Sequence, residues 1–172
     1  MHPFSAFTMS VYQLRPESHG EIHLASSDIS VYAKIYPNYL ATQTDCRTIV
    51  DGMNIARKIA RCAPLDNKIA EEFRPTRLLE MDDFEGKLEW ARNSSVSIYH
   101  PADTCKMGSG TDAVVDARLK VHGVESLRVA DCSVMSEIVS GNTNAPAIMI
   151  GEKASDLILE DRRVGVAALA PA

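Results

Sequence analysis

Two helix starts limit what this chain can fold into. Thr42-Gln-Thr-Asp45 has the form of a capping box, in which the first side chain and the fourth residue satisfy each other's free backbone donors. Asn144-Ala-Pro146 offers a second start, with Asn144 as N-cap and Pro146 at the first helical position. From the first start, Ile49, Met53, Ala56 and Ala60 recur at helical spacing until Pro64 closes the segment. From the second, Ala147, Ile150, Gly151, Ala154, Leu157 and Ile158 form the apolar stripe. Between them the sequence predicts short helices over residues 66–73 and 82–92, separated by Pro75, then loops around Pro101 and residues 108–112. Residues 7–14 and 21–25 read as strands of an antiparallel hairpin, with a short extended piece at 31–36 and a later strand at 126–130. The expected class is α+β. The tail after Glu160 lacks a polar pattern and is expected to fray.

Several functions are excluded early. A net charge of −5 gives no basic field for a phosphate backbone, so nucleic acid is not an expected partner. No apolar run reaches the roughly 18–20 residues that a membrane-spanning helix needs, and residues 1–14 lack the form of a secretory signal. Cys46 and Cys62, about 24 Å apart along one helix, cannot bridge, and no CxxC pair occurs. Reduced thiols point to the cytoplasm. His19 and His23 lie on an extended stretch that separates them by about 13 Å, so no metal site is expected.

Two loops carry chemistry. Ile98-Tyr99-His100-Pro101 puts a histidine, the side chain most readily poised as a proton acceptor near neutral pH, between an apolar run and a rigid proline. Ser140-Gly-Asn-Thr-Asn144-Ala-Pro is a polar, glycine-containing loop feeding a helix N-terminus, where free N–H groups and the helix dipole favour negative charge. Capping the helix requires only Asn144 and leaves Gly141 and Asn142 unexplained.

In combination, YHPADTCKMG (99–108), AVVDARLKVHGVESLRVADCSVM (113–135) and SGNTNAPAIMIGEKASDLI (140–158) resemble the C-terminal signature of the glucose–methanol–choline (GMC) oxidoreductases. The resemblance extends over roughly residues 7–160 and is nearest the choline dehydrogenase and bacterial alcohol dehydrogenase branch. It implies a fragment of a two-domain α/β flavoenzyme. Residues 1–97 would belong to an antiparallel-sheet substrate domain with helices. Residues 98–162 would supply active-site loops and the C-terminal strand–helix piece of an FAD-binding domain, and 163–172 a tail. It further implies that His100 takes the hydroxyl proton of a small-molecule alcohol while hydride passes to flavin, and that Asn142 orients the substrate oxygen. Tyr99, Ala130, Asp131, Asn144 and Ala145 match positions that approach FAD.

Departures from the pattern matter as well. Asp103 stands where relatives carry glycine, and Ser136 where proline is common. The dinucleotide fingerprint G-x-G-x-x-G does not occur, since Gly108-Ser-Gly110 lacks the third glycine and the strand–helix context. Without it the ADP half of FAD has no seat. The chain alone is therefore expected to be inactive, a truncated product or one half of a pair with a separate N-terminal FAD-binding chain. A non-catalytic or complementing module that pairs with a separate N-terminal FAD-binding chain is the alternative from another class. A cyanide-eliminating lyase is a third reading, disfavoured by Asn142.

Overall fold

The computed structural model describes residues 3–75 and 80–168. They fall into two compact units, residues 1–96 and 97–172.

In the first unit, β1 (Glu21–His23) pairs antiparallel with β2 (Lys34–Tyr36), with Ile22 opposite Ile35. The expected hairpin partner, residues 7–14, forms no strand. That segment lies instead along α1 (Gln43–Ala60), where Val11 packs so tightly that a Cβ on Gly52 would come 2.2 Å from a Val11 methyl. Strand-like composition marks a segment that packs on a partner, but that partner is a helix face rather than a strand. Gly20 permits the close approach of the β2 end, since a Cβ there would meet the Tyr36 carbonyl oxygen at 2.2 Å.

The start of α1 is more elaborate than a capping box. The Thr42 hydroxyl accepts from the Asp45 N–H at 3.2 Å, which completes one half of the box. The Asp45 carboxylate does not return to Thr42. Its oxygens accept the N–H groups of Glu17 and Ser18 and the Ser18 hydroxyl. That same hydroxyl accepts from the Ala41 N–H at 2.9 Å and the Thr42 N–H at 3.3 Å. Ser18 is thus wedged into the cap from a distant part of the chain. Burial pushes the Asp45 carboxyl up, but these donors outweigh it and hold it below the usual carboxylate range. The stability it contributes is therefore present above the ordinary carboxylate pKa and is lost as pH falls through the lower, folded value. Ser18→Ala is expected to cost about 1–2 kcal/mol at pH 7, and to narrow the gap between urea midpoints at pH 7 and pH 3.

Helix α2 (Phe84–Ser94) begins at Asp83, whose carboxylate accepts from the Gly86 N–H at 2.8 Å. It packs on α1 through Cys46, Val50 and Leu88, with Leu40 and Phe84 at the edge. The buried stripe of α1 is thus Cys46 and Val50, with the expected Ile49, Met53, Ala56 and Ala60 only half-buried. Lys87 is wholly buried, and its ammonium donates to the Met81 carbonyl at 2.6 Å. The expected helix over 66–73 is only a 3₁₀ turn, Asp66–Lys68.

The second unit is built on α3 (Asn144–Ala168) and the loops packed against it. Val115, Leu119, Val134, Ile150, Ala154 and Leu157 make its core. The α3 stripe is narrower than its sequence suggests, because Ala147 and Ile158 are exposed. The helix also continues beyond Glu160 to Ala168. Residues 169–172 of the expected tail lie outside the described residues. The expected strand 126–130 reduces to a single bridge, Lys120 to Arg128, flanked by two hydrogen bonds to residues 119–121. Ser126, at φ 59, turns the chain away and ends the pairing.

One carboxylate clasps this unit together. Asp161 takes the ammonium of Lys120 and the guanidinium of Arg118, each at 2.6 Å, and the guanidinium of Arg128. Hydrogen bonds from Lys120 and Arg118, then Arg128, hold its carboxyl far below the usual range. Among the described residues, no helix is long and apolar enough to cross a membrane.

Candidate active site

The site is assembled on the second unit from three segments. The first is Tyr99-His100. Tyr99 has a left-handed backbone, φ 61, and its N–H donates to the Ser97 hydroxyl at 3.0 Å. An aromatic residue in this region carries strain of about 1–2 kcal/mol, and such strain gathers at functional loops. The residue is 81% exposed, so packing within this unit does not account for the conformation. Tyr99→Gly is expected to raise the stability of the chain by about 0.5–1 kcal/mol, read as a higher urea midpoint. Asp103, four residues on, also has a left-handed backbone, φ 75, the conformation a glycine would adopt without cost.

The second segment is the end of the 126–130 piece. Ala130 and Asp131 are exposed, and the Asp131 carboxylate accepts from the Ser133 N–H at 2.8 Å, capping a 3₁₀ turn, Cys132–Val134. That turn receives the first loop, since the Cys105 N–H donates to the Ser133 carbonyl at 3.0 Å and the Met107 N–H to the Val134 carbonyl at 2.9 Å.

The third is the start of α3. The sequence suggested Asn144 as N-cap, but Thr143 holds that place, its carbonyl accepting the first helical bond from the Ala147 N–H at 2.9 Å. Pro146 is then the third helical residue rather than the first, tolerated because an N–H in this first turn needs no helical partner. The N–H groups of Asn144 and Ala145 at this end have no acceptor within the helix, and the positive end of the helix dipole lies with them. Beside them is an open apolar groove lined by Val134, Val139, Ala145, Pro146 and Met149.

Thr143 joins the segments. Its hydroxyl lies 2.8 Å from His100 Nδ1, and its carbonyl accepts the Cys132 thiol at 3.6 Å. The structure therefore gathers His100 and the chain neighbours of Thr143, namely Asn142, Asn144 and Ala145, about one helix end, with the Ala130–Asp131 segment tied in through Cys132. His100 is half-buried, whereas Tyr99, Ala130, Asp131, Asn142, Asn144 and Ala145 are exposed. Sequence reasoning passed over Thr143. A signal existed: with proline three positions after it, this N-cap hydroxyl lacks one of its two usual N–H donors and is available to another partner.

The chain has relatives among known proteins. A family model described as GMC oxidoreductase matches residues 16–151. The mitochondrial choline dehydrogenase of Mus musculus is 40% identical over 168 residues, which is 94% of this chain and 28% of that protein. Alcohol dehydrogenase (acceptor) of Pseudomonas putida is 37% identical over 163 residues, 95% of this chain and 29% of the relative. Among solved structures, a formate oxidase from Aspergillus oryzae, studied for modification of its FAD, superposes with a TM-score of 0.80 at 27% identity. The match covers 87% of this chain and 26% of that one. The chain thus spans little more than a quarter of the length of the proteins it matches.

Proposed function

We propose, from the premise that this chain belongs to the GMC oxidoreductase family, that it supplies part of the substrate domain and the proton-handling site of a flavin-dependent enzyme. The reaction is oxidation of a small alcohol to an aldehyde. The observation that carries this reading is the environment of His100. Its Nδ1 is engaged by Thr143 at 2.8 Å, and among the described residues its Nε2 has no protein partner. Nε2 is thus the atom that takes the hydroxyl proton of the alcohol. Asn142, exposed beside Thr143 in the chain, donates its amide to the substrate oxygen and fixes which hydroxyl meets His100. An amide cannot share the proton, so His100 is the base.

The same surface fits FAD. The N–H groups of Asn144 and Ala145 and the positive end of α3 offer donors to the electron-rich edge of its ring. Ala130 and Ala145 are small enough for close approach, with Asp131 next to Ala130 and Tyr99 next to His100 in the chain. Bound FAD supplies the hydride acceptor. The seat for the ADP half comes from a separate nucleotide-binding portion, the partner this reading requires.

Co-expression with the nucleotide-binding portion of a choline dehydrogenase relative tests the proposal. The expected product is a yellow complex that oxidises alcohols. A complex that forms but neither retains flavin nor oxidises any alcohol would favour the non-catalytic module instead.

A further inference from the structure

We infer that Thr143 is a positioning residue that selects the tautomer of His100 and locks the ring to the frame of α3. The inference rests on the reading of His100 as a base and goes beyond it. A neutral imidazole carries its proton on one nitrogen and its lone pair on the other, and a hydrogen-bond partner decides which. The partner here is the Thr143 hydroxyl, 2.8 Å from Nδ1. When Nδ1–H donates to that oxygen, the lone pair is on Nε2, the nitrogen with no protein partner among the described residues. Were the hydroxyl the donor, Nε2 would carry the proton and could not accept another from a substrate.

Three features make Thr143 suited to this task. It is buried, so water does not compete for the bond. Its backbone is pinned at both ends of the site, the carbonyl accepting from the Ala147 N–H at 2.9 Å and from the Cys132 thiol at 3.6 Å. Pro146 then removes one of the N–H groups that an N-cap hydroxyl would otherwise serve. Because Thr143 is covalently joined to Asn142 and Asn144, the position of the base, of the substrate-orienting amide and of the helix-end donors is set through one residue.

Nitrogen-15 NMR of the full chain with labelled histidine reads the tautomer directly, the His100 signals being assigned by their loss in His100→Gln. The wild-type chain is expected to show His100 chiefly protonated on Nδ1. In Thr143→Val, which keeps the shape and removes the hydroxyl, the ratio of Nδ1–H to Nε2–H should fall about fivefold, as loss of one net hydrogen bond requires. Thr143→Ser should restore it. Equal ratios in wild type and Thr143→Val, or a wild-type ring protonated chiefly on Nε2, would overturn the inference. If the valine variant does not fold, Thr143→Ala serves in its place. In the two-part complex, Thr143→Val should lower kcat about tenfold with KM nearly unchanged, and serine should rescue it; a change confined to KM would sink the idea. If His100→Gln left alcohol oxidation intact in that complex, the reading of His100 as base would fail while the tautomer result stood.

Discussion

If the proposed reading holds, His100→Gln in a complex with a relative's nucleotide-binding portion is expected to lower kcat by about 10²–10⁴, the usual worth of a positioned general base. Flavin retention should remain, because the proposed cofactor contacts do not include His100. Glutamine keeps the size and polarity of the side chain and can still bond the Thr143 hydroxyl, but it cannot take the proton. Anaerobic stopped-flow measurement of flavin reduction by an alcohol isolates this step from the electron acceptor. A loss smaller than tenfold would remove His100 from the role of base, and a colourless complex would assign it to cofactor binding instead.

The largest expected loss of stability comes from Leu157→Ala. Leu157 is 5% exposed and, among the described residues, belongs to a hydrophobic core cluster of six buried residues. Truncation there leaves a cavity between α3 and the loop residues Val115 and Leu119, and costs about 2–5 kcal/mol. The neighbouring Ile158, 37% exposed, provides the control. Ile158→Ala removes comparable side-chain volume at a boundary position and should cost well under half as much. Urea unfolding of the two variants gives the comparison, and similar midpoints for both would contradict the assignment of the core. Since α3 also carries Thr143 just before its first residue, loss of Leu157 should loosen the site before the unit unfolds.

The parts of this fold legible in the sequence are those determined locally. The Thr42 cap of α1 and the end of β2 before Pro37 follow from capping and proline chemistry, which act within a few residues. Histidine between an apolar run and a proline also drew attention without any knowledge of its surroundings. What was misread depends on distant partners. Residues 7–14 have the composition of a strand, but the surface they meet is α1, and nothing in the segment itself encodes that. The 126–130 strand is cut to one bridge because Ser126 turns away. Lys87 lies in a helix whose polar residues would all be assigned to solvent, and its burial depends on the Met81 carbonyl. Thr143 was overlooked because a hydroxyl at a helix start has a sufficient local explanation. Only the three-dimensional proximity of His100 reveals another.

The wedge of Ser18 into the start of α1 has a consequence for the order of folding. Ser18 lies 27 positions before Asp45, whose carboxylate it caps. A helix normally nucleates from its own residues, and closing even a short intervening loop is entropically costly before any bond repays it. Here the first turn of α1 is complete only after the chain has doubled back through β1 and β2. An excised peptide spanning α1 would therefore fray at its N-terminal end. In the intact chain, the hairpin and the helix end must become ordered together, so the first unit is expected to gain its first stable helix in the same event that closes its sheet.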